Sequence, residues 1–175
     1  AASDVYKRQG VAPEEERWIL GFGDGESRFR DFAKEDDVIY HEYTHAVCYD
    51  IGLRLKEETA EATAMHEGYA DYFPCSYLNT PIHDDWLLND RMRNTYGYTH
   101  LRHLDTLDTY FVYSNYNNVE YQCQGPPDDH LNPPGDEHSN GMIWSGTLWD
   151  LRQALGQQIA DKLIFQGLLF VHGYP

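Results

Sequence analysis

Basic residues are scarce: 13 Lys and Arg stand against 29 Asp and Glu, a formal net charge of −16. Such a chain is repelled by a phosphate backbone or an anionic membrane surface, so neither nucleic acid nor membrane is an expected partner. Long apolar runs are also missing. The best of them, Leu163 to Val171, is interrupted by Gln166 and Gly167 and falls short of the roughly 18 residues that a membrane span needs. Cysteine is rare: Cys48, Cys75 and Cys123 leave at least one thiol unpaired and none lies in a CxxC spacing, so no redox or thiolate-metal site can be read from them. Cys48 and Cys75 fall within apolar helical patterns, where a small buried hydrophobe is the plain reading. No basic start followed by an apolar run marks a signal peptide, and no internal repeat or low-complexity tract is visible.

What is present suits one folded domain. The 175 residues are 41% hydrophobic and 14% aromatic, enough material for a packed core. Residues 1–9 are set aside, because DVYKRQ at positions 4–9 is what one frame of a sequencing-library transposon end encodes. Residues 10–175 are expected to be a domain fragment cut at both ends, since residues 163–175 stop while a helical apolar pattern is still running. Arg17 to Phe22 is the one good strand candidate, closed by a glycine-rich turn at residues 21–25. A buried helix is expected from Val38 to about Ile51, capped by Asp36 or Asp37 and stopped at Gly52. Thr59 can cap a second helix that Pro74 ends or kinks. Residues 79–137 read as long loops or short irregular pieces, and helices from Gly141 to Leu155 and from Gln157 to about Val171 close the chain. The fold class expected is α+β and mainly helical.

The chemistry sits in the first helix, where His41-Glu42-Tyr43-Thr44-His45 forms a HExxH motif. Residues four apart share a helical face, so both imidazoles can converge on one metal ion while Glu42, about 100° away, flanks it and can reach a bound water. Two histidines and one more protein ligand leave an open position on tetrahedral zinc, the pattern of a catalytic site. HExxHxxGxxH would require Gly at 48 and His at 51; Cys48 and Ile51 stand there, which excludes the metzincin class. On the second helix Glu67 and Asp71 form ExxxD, with Glu67 22 residues past the second histidine. They share a face, so Glu67 can ligate zinc while Asp71 accepts a hydrogen bond from a ligand imidazole and fixes its tautomer. The competing reading is two ordinary buried histidines and a solvated acidic face. His66 adjoins Glu67 but points elsewhere on the helix and is read as a non-ligand.

HEYTH followed by MHEGYADYF resembles the gluzincin metallopeptidases of thermolysin and fungalysin type. The stretches GFGDGESRFRDFAKEDDVIYHEYTHAV and HSNGMIWSGTLWDLRQALG look most like the fungalysin-type branch and its bacterial relatives. The resemblance implies a zincin catalytic core whose active-site helix and C-terminal helical lobe are present and whose upstream sheet is mostly missing. It implies one catalytic zinc on His41, His45 and Glu67, with Glu42 as general base, Asp71 behind a histidine, and His138 as the donor to the developing oxyanion. It further implies a peptide or protein substrate and secretion, often with a pro-segment. The chain departs from the thermolysin pattern in two respects: the only tyrosine between the second histidine and Glu67 is Tyr49, and the substrate-binding edge strand is absent. Without that strand this chain is expected to be poorly active by itself. Arg102 is open between an arginine that holds a substrate carbonyl and a surface residue. Calcium is left unassigned, since Asp84-Asp85 and Asp128-Asp129 read better as solvated acidic turns than as binding loops. The activity expected is zinc-dependent endopeptidase cleavage. The rivals are another zinc hydrolase such as an aminopeptidase, and a catalytically silent zinc-stabilised module. Oligomeric state is not readable.

Overall fold

The computed structural model describes residues 3–7, 18–25, 28–51, 59–105 and 136–171. Strand β1 (Ser3–Lys7) pairs antiparallel with β2 (Trp18–Phe22), Val5 lying opposite Leu20. β2 falls on the predicted apolar run, whereas β1 is made of residues that the sequence reading sets aside. A single 3-10 turn (Phe32–Lys34) leads into α1 (Asp36–Asp50), and α2 (Ala60–Leu78) follows. Then come β3 (Ile82–His83), α3 (Asp90–Tyr96) and β4 (Arg102–His103), with β3 and β4 paired antiparallel. Two helices, α4 (Glu137–Leu155) and α5 (Gln157–Val171), complete an α+β, mainly helical architecture. None of the helices of the described residues is long and apolar enough to cross a membrane.

Local chemistry accounts for most of the boundaries. Thr59 Oγ1 accepts the Ala62 N–H and Asn79, in the left-handed region at φ 57°, closes the other end of α2. α1 begins one step earlier than expected: Glu35 occupies the cap position without a side-chain cap bond, and Asp36 and Asp37 lie in the first turn, where the helix dipole favours negative charge. α2 does not end at Pro74, although proline forfeits a helical hydrogen bond. Its last turn is held from outside, with Arg152 donating to Ser76 Oγ at 2.9 Å, Gln157 donating to the Ser76 carbonyl at 2.6 Å, and Ser76 donating to Asp161 at 2.7 Å. α4 starts a turn before Gly141 because the Asp136 carboxylate accepts the His138 N–H at 2.9 Å. The expected irregular region contains α3 and two short strands joined by turns; its residues 106–135, with Cys123, Asp128 and Asp129, lie outside the described residues.

The main core gathers Tyr72, Leu104, Leu148, Trp149, Ile164 and Leu168 from α2, α4, α5 and the residue after β4. Cys48 and Cys75 are free and buried in it, and burial pushes the Cys48 thiol up to about 12, so it is chemically inert. α2 and α4 cross at a pair of glycines. A Cβ on Gly68 would stand 2.7 Å from the Gly141 carbonyl oxygen, and one on Gly141 would stand 2.8 Å from that of Ala64. Only glycine permits this approach, and its effect is to bring the start of α4 beside Glu67.

At the start of α1 the chain buries Glu35 and Asp37 together with Asp84, and neither Glu35 Oε2 nor Asp37 Oδ1 has a hydrogen-bond partner. Burial, reinforced by the charges of Asp84 and Asp37, raises the Glu35 carboxyl from 4.5 to about 8. The folded state therefore keeps a proton that the unfolded chain loses above 4.5, so this group lowers stability as pH climbs from 4.5 towards 8. Glu35→Gln retains the shape without the titration. Thermal unfolding should show the variant gaining a few degrees over the parent at about pH 8 and nothing at about pH 4. An equal difference at both pH values would rule out this account of Glu35.

Candidate metal centre

α1 carries His41, Glu42 and His45, all three buried, and presents the two histidines to α2. Residues 41 and 45 lie one above the other on the face that meets α2, with ring centroids 4.6 Å apart. Glu67, only 3% exposed, comes from the facing helix. His41 Nε2 lies 3.2 Å from Glu67 Oε2, His45 Nε2 lies 3.4 Å from the same oxygen, and the two Nε2 atoms are 3.0 Å apart. Bonds of about 2.0–2.1 Å around a tetrahedral zinc ion put neighbouring ligand atoms about 3.3–3.4 Å apart. The three atoms thus form a triangle close to the face of such a tetrahedron. The donor set fits as well, with two imidazoles and a carboxylate oxygen that has no hydrogen-bond partner although it is buried.

Asp71, one turn beyond Glu67, is fully buried and accepts from His41 Nδ1 at 2.9 Å, which leaves the lone pair of that ring at Nε2. Burial alone would lower the His41 pKa; the hydrogen bond to Asp71 and the Glu67 carboxylate close beside it outweigh burial and raise it to about 10. His45 lies below its ordinary value, because burial there exceeds the pull of Glu67. Burial would raise the Glu67 carboxyl, but the charge of His45 and the ring nitrogens of both histidines close beside it carry it well below the usual range.

Behind Asp71 lies a second layer that sequence reasoning misses. Arg102 Nη1 is 3.3 Å from Asp71 Oδ1 and Arg102 Nη2 is 2.8 Å from Asp84 Oδ2, while His83 Nδ1 is 2.8 Å from the same Asp84 oxygen. Two expectations change here. Arg102 is buried and paired with two aspartates, so it is not a surface residue, and Asp84 is 1% exposed rather than part of a solvated turn. Its Oδ2 is engaged by Arg102 and His83. No sequence motif signals this cluster, since it exists only when β3 and β4 pair behind α2.

His138, in the first turn of α4, directs Nε2 towards the same centre, 3.5 Å from Glu67 Oε2, with its Nδ1 2.8 Å from Asp136 Oδ1. Burial would lower its pKa, but the Asp136 hydrogen bond and the charge of Glu67 prevail and raise it. A cap acid directly after Pro-Pro-Gly was the available signal for both Asp136 and this helix start. His66 is outside the triangle, as expected for a non-ligand, yet its Nδ1 lies 2.9 Å from His45 Nδ1. Tyr49 packs its ring on His66, with centroids 5.1 Å apart.

A HExxH helix meeting a glutamate from the following helix, with an aspartate one turn further on, defines a gluzincin-type metallopeptidase centre. The sequence profile for the fungalysin metallopeptidases (M36) matches residues 17–162. The chain belongs to the fungalysin metallopeptidase family, whose members are zinc-dependent peptidases and are generally secreted. Searches of curated proteins and of solved structures each returned no match.

Asp71 should govern metal affinity without touching the metal. Replacing it by Asn is expected to weaken zinc binding by about 10 to 100-fold, read by competition with a chelator of known affinity. Unchanged affinity in the folded variant would remove Asp71 from this role.

Proposed function

We propose that the chain is the catalytic core of a zinc-dependent endopeptidase, with His41, His45 and Glu67 holding the metal. The observation that carries the reading is the triangle of His41 Nε2, His45 Nε2 and Glu67 Oε2, all within 3.0–3.4 Å of one another inside the protein. When bound, zinc supplies Lewis acidity, polarising a carbonyl and lowering the pKa of water towards about 7.

The remaining steps belong to the protein. Glu42 follows His41 directly on α1 and is close enough for its charge to act on His45. Its carboxylate takes the proton of the attacking water and hands it to the nitrogen of the leaving amine. Asp71 keeps the Nδ1 proton of His41 in place throughout. His138 donates its Nε2–H to the carbonyl oxygen as negative charge develops there, and Asp136, hydrogen-bonded at Nδ1, keeps that ring oriented and its pKa raised. Peptide bonds within a chain are the substrate class that fits: the sequence offers no separate acidic motif to hold a free terminal amine. Peptides blocked at both ends separate this from aminopeptidase action, because only an endopeptidase cleaves them.

Two variants test the assignment. Glu42→Gln should keep zinc and lose hydrolysis, since the amide preserves shape but accepts no proton; equal turnover would take Glu42 out of the mechanism. His138→Phe should keep zinc while kcat falls by roughly 10² to 10³ with little change in KM. Lost zinc would instead make His138 a ligand, and an unchanged kcat would leave it no part in the reaction.

A further inference from the structure

His45 and His66 face one another through like atoms, Nδ1 to Nδ1, at 2.9 Å. Two lone pairs at that distance repel, and so do two N–H groups; the contact is favourable only when a single proton lies between them. Which ring carries it follows from the other end of His45. That Nε2 lies 3.0 Å from His41 Nε2 and 3.4 Å from Glu67 Oε2, so it is the atom turned to the metal and must present a lone pair. A neutral imidazole with its lone pair at Nε2 carries its hydrogen at Nδ1.

We propose that His66 is the positioning residue of His45: its Nδ1 accepts the His45 Nδ1–H and holds the His45 Nε2 on the metal. The proposal rests on the metal-centre reading above and adds to it the partner of the second histidine. His66 then keeps its own proton on Nε2. The setting suits a fixed role, because His66 is fully buried, its ring lies within 26° of the plane of His45 with the centroids 4.4 Å apart, and Tyr49 lies against it. Its place in the chain is equally constrained. Residues 66 and 67 point about 100° apart on α2, so while Glu67 enters the triangle, His66 reaches the flank of α1 and meets His45. The two ligand histidines are thereby held unequally: His41 by an anionic carboxylate at 2.9 Å, His45 by a neutral imidazole.

The test compares His66→Leu, which removes the acceptor, with His66→Asn, whose carbonyl oxygen can take the place of Nδ1. Zinc affinity by chelator competition and the visible absorption of the cobalt-substituted protein are measured for both and for the parent. His66→Leu is expected to bind zinc about 10 to 100-fold more weakly and to shift the cobalt bands, and His66→Asn to recover most of both. Affinity in His66→Leu within about twofold of the parent, or His66→Asn as impaired as His66→Leu, overturns the proposal. Nitrogen-15 NMR of the zinc-loaded parent gives a readout that needs no variant: His45 protonated at Nδ1 and His66 at Nε2 are expected, and a proton on His66 Nδ1 contradicts the proposal. A parent that takes up no zinc would overturn the metal-centre reading itself, whereas a zinc-binding parent with an indifferent His66 overturns this proposal alone.

Discussion

Three carboxylates, Glu67, Asp71 and Asp84, are almost wholly removed from water in the middle of the molecule, and a carboxylate can be buried only where positive charge or hydrogen-bond donors meet it. The surroundings are arranged around that requirement. Asp71 is met by His41 and Arg102, and Asp84 by Arg102 and His83. Glu67 differs, because its neighbours are the Nε2 atoms of three histidines, with no arginine beside it among the described residues. Imidazole nitrogens beside a buried carboxylate are a donor set that suits zinc. The layer behind it is cross-linked through Arg102, which pairs with both Asp71 and Asp84, and this limits the freedom of His41 to turn away.

The helices bring these charges together through a close backbone contact. Gly68 and Gly141 let α2 and α4 approach until a single methyl group would collide, and both glycines lie next to residues of the centre. Glu67 precedes Gly68, and His138 lies one turn before Gly141. α1 supplies the opposite wall through the i, i+4 pair. The site is therefore built where three helices meet, with the short β3 and β4 strands closing it from behind.

How much of this was legible follows from the range over which each signal acts. His41, Glu42 and His45 were readable because their geometry depends only on a helix, and Glu67 and Asp71 because they repeat that spacing on the next one. The burial of Cys48 and Cys75 was readable from apolar periodicity, whereas their free state was not. Other features depend on contacts between distant segments. Arg102 and Asp84 are 18 residues apart and meet through the β3–β4 pairing, two residues long on each side, which no periodicity reveals. Pro74 left open whether α2 ends or kinks there, and its continuation to Leu78 depends on Arg152 and Gln157 from α4 and α5. His66 was read correctly as lying off the ligand face, but its meeting with His45 depends on how α1 packs on α2.

The central claim is that one zinc ion belongs to His41, His45 and Glu67 together. Anomalous diffraction recorded at the zinc absorption edge from crystals of the zinc-loaded protein tests it most directly. The account predicts one strong peak in contact with His41 Nε2, His45 Nε2 and Glu67 Oε2. A peak that leaves Glu67 uncoordinated, or that lies instead among His41, Asp71 and His83, would contradict it.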